Sequence, residues 1–394
     1  MTRKIRVIQF GLGMPHDQYV GGAEVFAASL AQALDQDRFE RLVCGVWRFN
    51  SANEALQRNA LAAKNIASEL LMPYDPNIRS IARAVQPFVN LIRRWQADIV
   101  TTHAEYADLI SLAARQLHRV RYTPVRVVHL LPEFDIVGRY RPALAATLRR
   151  LHPLLCSTDI GISPQIAATM GRKWVSRRRG YRLQMIPNAL DTDAIRARVS
   201  GVNMRAEFGL TRNTPWIGIV GRLEPQKGLA FFLQAAREVY QACPQAKFLI
   251  VGAGSLRHEL EAQARSLGLA DRVTFTGVRD DVPDLLANLD VLVSSSLREG
   301  LPTILMEAMV IGTPIVSSDI PGSRDLITHE RTGRLVPAQD AHALAQAILR
   351  ILRERDQAQT MAQAAKIEVE QFSINSVARQ YEALYTQLLA SHTA

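Results

Sequence analysis

Long hydrophobic runs are missing from this sequence of 394 residues. The apolar stretch from Thr303 to Val316 is interrupted by Glu307, whereas a membrane-spanning helix needs about 20 consecutive apolar residues. The amino terminus, MTRKIRVIQFGLG, has a basic start, but its apolar part is short and lacks an A-x-A cleavage site. The sequence therefore predicts a first β-strand there, and no segment that spans a membrane.

Cysteine is scarce: Cys44, Cys156 and Cys243 lie far apart, in no CxxC or His-rich context. Such a set supports neither a disulfide framework nor a zinc site, and it favours the cytosol as the compartment. A complete G-x-G-x-x-G motif is also missing, because His16 and Arg257 occupy the third glycine position of FGLGMPH and VGAGSLR. A dinucleotide-binding site is therefore disfavoured.

The composition is that of an ordinary globular protein, 48% hydrophobic and 21% charged, without repeats or low-complexity segments. One hydrophobic core supports about 250 to 300 residues, so two domains are expected. The net charge is +10, but residues 1–200 hold 28 Lys and Arg against 16 Asp and Glu, while residues 201–394 hold 19 against 21. This asymmetry fits a first half that faces an anionic membrane, a phosphorylated lipid or a nucleic acid, and it equally fits scattered surface charge.

Short β-branched runs alternate with longer amphipathic segments, which is the signature of βαβ units and parallel sheets. The pattern predicts an α/β fold of two Rossmann-like doubly wound domains, residues 1–190 and 191–372, with a final amphipathic helix over 373–394. Ligands of such sheets bind beyond the carboxyl ends of the strands, so chemistry is expected in strand-to-helix loops and in the cleft between the sheets. Strands are expected at residues 5–10, 42–47, 98–101, 125–130, 159–162, 183–186, 216–220, 246–251, 273–275, 291–294 and 314–317.

Two of these loops carry residues suited to an anionic ligand. The segment GGAE, with Gly22 and Glu24, opens the first helix, where free backbone N–H groups favour an anion or a sugar hydroxyl. The glycine pair, Gly21 and Gly22, can equally serve only to permit a tight turn. In the second half, GRLEPQKG places Arg222 and Lys227 after a strand, and two cations there suit a diphosphate. Taken alone, a lysine or arginine in a loop is more often simply solvated.

The segment REGLPTILMEAM contains two glutamates, Glu299 and Glu307, eight residues apart. Pro302 suits the first turn of a helix, which would leave the amides of Thr303 and Ile304 available to phosphate oxygens. Glu307 then lies inside an otherwise apolar helix, where its burial is costly unless something polar binds it. The segment is therefore predicted to be functional rather than structural.

Two further patterns have competing interpretations. Asp191 and Asp193 form D-x-D, which can hold a metal, but the predicted cations already supply positive charge, so a helix cap without metal is expected. The basic segment 172–182 interleaves Trp174 and Tyr181 with cations, which is typical of an interfacial membrane patch. A solvated loop fits equally well, and no nucleic-acid motif accompanies the segment.

The segments GGAE, HAEYA, IPNALDTD, GRLEPQKG, VGAGSL, E-x7-E and the final FS-VA-QYEALY helix follow one another over nearly the whole chain. In this combination the chain resembles the retaining GT-B glycosyltransferases of glycosyltransferase family 4. The resemblance implies the GT-B fold, with an acceptor-binding first domain on which the final helix packs back, and a second domain that binds a nucleoside diphosphate sugar. A UDP-sugar is favoured as the donor, and neither a metal nor a cofactor is expected. Two departures from the family pattern, Ala189 for a glycine and Ser255 for a proline, concern loop geometry only.

The resemblance also implies roles for individual residues. Arg222 and Lys227 match the cations that neutralise the diphosphate, and Glu307 matches the carboxylate that binds the ribose. Glu299 and His103 match groups that meet the transferred sugar, although a single histidine without the resemblance is more often structural. The other implied donor contacts are Gly22 in a glycine loop, Val278 and Arg279 beside the base, and Gly300, Leu301, Thr303 and Ile304 in the E-x7-E segment.

The implied activity moves a sugar, with retention, to a hydroxyl of a glycan or lipid-linked acceptor, in cell-surface polysaccharide or glycolipid synthesis. The expected location is the cytoplasm or the inner face of the membrane. The leaving diphosphate, stabilised by Arg222, Lys227 and the helix N-terminus, takes the acceptor proton, so no protein nucleophile is required. Two alternatives stay open: a sugar-nucleotide epimerase or phosphorylase on the same fold, and a non-catalytic sugar-nucleotide-binding protein.

Overall fold

The computed structural model describes residues 3–14, 22–75, 80–129, 146, 158–172 and 181–393. The chain divides into two compact units, Met1–Leu190 with Ile374–Ala394, and Asp191–Ser373. Each unit has its own parallel sheet and its own hydrophobic core, as separate domains do.

A parallel sheet forms the centre of the first unit, and its seven described strands have the order β3-β2-β1-β4-β5-β6-β7. In β1, the residues from Val7 to Gly11 are buried, because a parallel sheet is covered on both faces. The described strands are β1 (Ile5–Gly11), β2 (Phe39–Arg48), β3 (Ala67–Pro73), β4 (Ile99–Thr102), β5 (Thr123–Val128), β6 (Thr158–Gly161) and β7 (Arg182–Met185).

Helices cover this sheet with apolar faces. On one face Phe10 of β1 stacks on Phe88, with the ring centroids 4.4 Å apart, and Ile110 joins the same cluster. On the other face Phe26 and Ile166 pack with residues of the last helix. The described helices of this unit are α1 (Gly22–Ala33), α2 (Ala52–Ala63), α3 (Ser80–Trp95), α4 (Glu105–His118), α5 (Pro164–Gly171) and α15 (Ile374–Thr393).

The last helix, α15, returns to the first unit and packs against α1. Its buried face carries Tyr381 and Tyr385, which are both fully buried. At its edge, Glu382 accepts a hydrogen bond from the amide of Asp35 at 2.7 Å and pairs with Arg38 at 3.3 Å. The predicted return of the final helix to the first domain is thus confirmed.

The second unit repeats the architecture, and its six described strands form a parallel sheet of order β10-β9-β8-β11-β12-β13. The strands are β8 (Trp216–Val220), β9 (Lys247–Val251), β10 (Val273–Gly277), β11 (Val291–Ser294), β12 (Ile315–Ser318) and β13 (Arg334–Val336). The helices are α6 (Thr192–Ala197), α7 (Met204–Glu207), α8 (Leu229–Ala242), α9 (Arg257–Ser266), α10 (Val282–Asn288), α11 (Thr303–Ile311), α12 (Pro321–Arg324), α13 (Ala341–Arg353) and α14 (Arg355–Glu368).

The structure confirms the α/β fold of two doubly wound sheets, and it adds two edge strands that the pattern does not predict. Only one of the seven residues of β3 is buried, so the strand has no apolar alternation to reveal it. Strand β13 has three residues, which is too short for a periodic signal. No described helix is both long enough and apolar enough to cross a membrane.

Candidate functional site in the second unit

The loop GRLEPQKG follows β8 and ends in a short 3-10 turn, Pro225–Lys227. Gly228 closes this turn with φ of +60°, a left-handed conformation that favours glycine. A Cβ atom at Gly228 would lie 2.2 Å from the carbonyl oxygen of Ser295, so a larger residue would clash with the loop after β11. The turn thereby holds Lys227 beside that loop.

Lys227 and Glu299 form an ion pair, with the lysine Nζ 2.5 Å from Oε1 of the carboxylate. The same oxygen accepts a hydrogen bond from the hydroxyl of Ser296 at 2.8 Å. Both charged side chains are largely buried, with 19% and 14% of their surfaces exposed, so solvent screens their charges only partly. The pair is a fixed charged centre at the carboxyl end of the sheet.

Arg222 lies five residues before Lys227 and has an exposed side chain. Its guanidinium makes no hydrogen bond or ion pair with the part of the chain that the structure describes, although it acts electrostatically on Glu224. Glu224 in turn accepts hydrogen bonds from the amide and hydroxyl of Ser255, at 3.1 and 3.0 Å. Ser255, one of the two departures from the family pattern, therefore joins the loops after β8 and β9.

Helix α11 begins at Thr303, directly after Pro302. The amide of Leu305 donates to the carbonyl of Pro302 at 3.1 Å, whereas the amides of Thr303 and Ile304 come before any intrahelical acceptor. Two N–H groups and the positive end of the helix dipole are therefore available to an anion. This agrees with the helix start predicted from the sequence.

Glu307 is the fifth residue of α11 and is half-buried. Burial raises the pKa of its carboxyl above the ordinary value, an effect that the nearby Arg198 partly offsets. Its carboxylate has no hydrogen-bond partner among the residues described. A half-buried carboxylate without such a partner is costly in the unliganded protein, and this cost is removed when a ligand donates hydrogen bonds to it.

These groups line one cavity of about 450 Å³ in the second unit. Its size suits a small organic ligand, and its wall carries three cations, two carboxylates and a helix N-terminus. Arg198, Val282 and Pro283 also line the cavity, and no sequence motif points to these three residues. The predicted residues that it brings together are Arg222, Lys227, Glu299, Leu301, Thr303, Ile304 and Glu307.

Three predicted donor contacts of this unit do not line that cavity. Gly300 lies between two lining residues, and Val278 is 75% exposed just after β10. Arg279 is held elsewhere: it pairs with Glu207 at 2.7 Å and with Asp281 at 2.5 Å. The place of Val278 and Arg279 beside a base therefore stays a prediction.

The predicted turn at D-x-D is confirmed. Asp191 is the N-cap of α6, and its carboxylate accepts a hydrogen bond from the amide of Ala194 at 2.9 Å. Asp193 pairs instead with Arg196 on the same helix. In the described residues, no group of three or more His, Cys, Asp or Glu side chains is arranged to hold a metal ion.

This cap provides a stability prediction. Replacing Asp191 by alanine is expected to lower the free energy of unfolding by about 1 kcal/mol, because the amide of Ala194 loses its acceptor. Asp191→Asn is the matched control, since asparagine caps equally well but removes the charge. Urea unfolding checks both variants, and equal destabilisation by Asn and Ala would contradict the role of Asp191 as a cap.

Candidate residues in the first unit

His103 follows β4 and is buried, with 3% of its surface exposed. Its Nε2 lies 2.8 Å from Oε1 of Gln9, and its Nδ1 lies 3.3 Å from Nε2 of His129. Burial lowers the pKa of His103 well below its usual range, with a further contribution from His129, and burial lowers the pKa of His129 to about 4. Both imidazoles are therefore neutral at pH 7.

His129 is a candidate that the sequence analysis missed. It follows β5 as His103 follows β4, and parallel neighbouring strands bring their carboxyl ends together. A polar residue directly after an apolar strand was the available signal. His129 is half-buried, and is therefore the more accessible of the two histidines.

Gly22 is the first residue of α1 and is exposed, and a Cβ atom there would have no neighbour within 4 Å. The structure thus gives Gly22 no steric requirement for glycine. Glu24, two residues further on, is buried, and burial raises the pKa of its carboxyl although backbone amides, including that of Leu12, hydrogen-bond it. Whether Gly22 meets a donor stays a prediction.

Most of the basic segment 172–182 lies outside the described residues. At its end, Tyr181 is half-buried, and its hydroxyl donates to Oδ2 of Asp159 at 2.8 Å. Asp159 also pairs with Arg126 at 2.7 Å in a fully buried ion pair. Tyr181 is thus bound within the first unit, and membrane docking by this segment stays a prediction.

Family and similar proteins

Two family models match the chain in succession. A model described as glycosyltransferase family 4 matches residues 20–194, and a model described as glycosyl transferases group 1 matches residues 214–354. The chain belongs to the group 1, or family 4, glycosyltransferases, as the sequence motifs predict.

Among curated relatives, the chain is similar to the 2-deoxystreptamine glucosyltransferase of Streptomyces kanamyceticus. They are 29% identical over 69% of this chain and 72% of that one. It is also similar to the UDP-Gal:alpha-D-GlcNAc-diphosphoundecaprenol alpha-1,3-galactosyltransferase of Escherichia coli, with 27% identity over 67% and 69% of the two chains. Both relatives are sugar transferases by name.

Among solved structures, HepE of Anabaena in complex with UDP has a TM-score of 0.77 at 22% identity, covering 97% of this chain and 100% of that one. The sucrose-phosphate synthase of Thermosynechococcus elongatus also has a TM-score of 0.77 at 22% identity, over 98% and 100% of the two chains. At this identity the likeness establishes the fold, which is that of GT-B glycosyltransferases.

Proposed function

We propose that this glycosyltransferase moves a sugar, with retention and without a metal ion, from a nucleoside diphosphate sugar to a hydroxyl of a glycan or lipid-linked acceptor. The carrying observation is the cavity of the second unit, which combines Arg222, Lys227 and the N-terminus of α11 with the carboxylates of Glu299 and Glu307. A nucleoside diphosphate sugar needs both kinds of group, cations for its phosphates and acceptors for its hydroxyls.

The proposed chemistry follows from the charges. As the bond from the anomeric carbon to the diphosphate breaks, negative charge accumulates on the leaving oxygens. Arg222, Lys227 and the amides of Thr303 and Ile304 stabilise that charge. Lys227, through its ion pair with Glu299, and the two helix amides are already in place before the reaction begins. The leaving oxygen takes the proton of the acceptor hydroxyl as that hydroxyl forms the new bond on the same face, so the configuration is retained.

The donor and acceptor classes are proposed from the relatives. Structures similar to this chain contain UDP or UDP-glucose, which favours a UDP-sugar. The Escherichia coli relative is named for a diphosphoundecaprenol-linked acceptor, and a Rhizobium meliloti relative for lipopolysaccharide core synthesis. We therefore propose a role in cell-surface polysaccharide or glycolipid synthesis, with the acceptor bound by the first unit. An anionic membrane surface as partner rests on the positive charge of the first half and on its basic segment 172–182.

Metal independence leads to a direct measurement. Calorimetry is expected to give the same affinity for UDP with magnesium and with EDTA, because side-chain cations and helix amides replace the metal charge. Asp191→Asn, which removes a D-x-D charge and keeps the cap, is expected to bind UDP as the wild type does. Loss of binding on chelation, restored by magnesium, would contradict the metal-free mechanism.

Product analysis tests the reaction itself. Purified protein is incubated with a panel of nucleotide sugars and with glycan and lipid-linked acceptors, and the anomeric configuration of each product is determined by NMR. The expected product retains the configuration of the donor. An inverted product would exclude the retaining mechanism, and an epimerised donor without transfer would support the alternative enzyme class.

A further inference from the structure

A chain of hydrogen bonds connects the last helix, α15, to His103. The hydroxyl of Tyr385 lies 2.7 Å from Oγ1 of Thr101 and accepts a hydrogen bond from Nε2 of Gln9 at 3.1 Å. On its other side the Gln9 amide presents Oε1 to Nε2 of His103 at 2.8 Å, and Nδ1 of His103 faces His129. Side chains from β1, β4 and α15 thus meet below the ends of the strands.

Water has almost no access to this chain. Gln9, Thr101 and Tyr385 are fully buried, and His103 is nearly so. Buried polar groups are costly when they are unpaired, and a fully paired network in low dielectric holds its members in one arrangement. Burial also raises the pKa of Tyr385 to about 12, so its hydroxyl keeps its proton at pH 7.

The pairing with Gln9 sets the tautomers of the two histidines. Gln9 Oε1 can only accept, so Nε2 of the neutral His103 must carry the proton and donate it. Nδ1 of His103 is then bare and accepts from Nε2–H of His129. The neutral His129 therefore has a bare Nδ1, and this nitrogen has no partner among the described residues.

We propose that Gln9 and Tyr385 are positioning residues, which hold His103 and His129 in this single tautomer and thereby make the outer nitrogen of His129 a hydrogen-bond acceptor for a substrate hydroxyl. The inference rests on the proposed function, because a hydroxyl-bearing sugar or acceptor is the group that this nitrogen would meet. The orientation of the Gln9 amide decides which ring nitrogen of His103 carries the proton. In this arrangement the Tyr385 hydroxyl accepts from Nε2 of the amide. Tyr385→Phe removes that partner, so the amide is released to turn over and to donate to His103, which then takes the opposite tautomer.

Tyr385→Phe tests the proposal with little change in volume, and Tyr381→Phe is its matched control. Tyr381 lies one turn earlier on the same helix and is also fully buried, but its hydroxyl has no hydrogen-bond partner in the described structure. Histidine-selective 15N labelling and long-range 1H–15N correlation spectra report which ring nitrogen carries the proton. Signals of His103 and His129 are assigned with single His→Gln variants.

In wild type and Tyr381→Phe, His103 is expected to be protonated at Nε2 only. In Tyr385→Phe, it is expected to show a mixture of tautomers, and turnover is expected to fall about 10-fold, as when outer partners of metal-binding histidines are removed. UDP affinity should stay within about twofold, because the second unit is unchanged. Urea unfolding confirms that the compared variants are folded.

A single Nε2–H tautomer in Tyr385→Phe, with turnover equal to that of Tyr381→Phe, would overturn the proposal and leave Tyr385 a packing role only. The spectra need no substrate, so they decide the tautomer even if the wild type transfers no sugar. The wild type could show the single tautomer and yet transfer no sugar. That result would overturn the proposed function and the substrate contact of His129, but the positioning of His103 by Gln9 and Tyr385 would stand.

Discussion

Lys227→Ala is expected to lower kcat/KM for sugar transfer roughly 30-fold to 1,000-fold. This corresponds to a loss of about 2 to 4 kcal/mol of transition-state stabilisation. The lysine is fixed before the reaction by the turn ending at Gly228 and by its ion pair with Glu299. Further negative charge builds up on the already anionic diphosphate as the sugar leaves, so most of the loss should appear in kcat.

Lys247→Ala is the matched control for Lys227→Ala. Lys247 is the first residue of β9, so it lies at the amino ends of the strands of the same sheet, away from the cavity. Its Nζ donates to the carbonyl of Asp271 at 2.6 Å. Initial rates with UDP-sugars and urea unfolding are measured for both variants. Normal turnover in Lys227→Ala, or an equal loss in Lys247→Ala, would remove Lys227 from the proposed mechanism.

The two-sheet fold could be predicted because its central strands are apolar on both faces. Strands such as β1 and β8 read as short β-branched runs, and long amphipathic segments separate them. Edge strand β3 escapes the same reasoning because six of its seven residues are exposed or half-buried. An edge segment becomes a strand by pairing with the neighbouring strand. This pairing does not require a hydrophobic periodicity in the sequence of the edge segment itself.

The site of the second unit could be predicted for a similar reason, since local sequence determines much of it. A strand, a glycine turn and a helix start place Lys227, Glu299 and Glu307 around one cavity within a single unit. The surroundings of His103 could not be predicted, because Gln9, His129 and Tyr385 come from three distant segments. Only the packing of α15 against the first sheet brings Tyr385 to Gln9, and side-chain period alone does not specify such a partner.

Glu307→Ala is expected to weaken the affinity for free UDP by about 1.5 to 3 kcal/mol, or roughly 10-fold to 150-fold, as loss of hydrogen bonds to a charged group does. Glu307 is proposed to hold the ribose before and during the reaction, so the loss should appear in binding itself. Glu299→Ala should instead lower kcat with little change in UDP affinity, because its partner is the transferred sugar. Glu259→Ala, at an exposed position of helix α9, is the matched control.

Stability without ligand separates this role of Glu307 from a structural one. The raised pKa means that ionised Glu307 destabilises the folded state, a penalty that is absent below the ordinary pKa of 4.5 and complete above the folded pKa. Glu307→Ala should therefore unfold at higher urea than the wild type, with a larger gain at pH 8 than at pH 4, while it binds UDP more weakly. A carboxylate kept for folding would give the reverse: lower stability in the alanine variant with unchanged UDP affinity, and that result would exclude Glu307 as the ribose ligand.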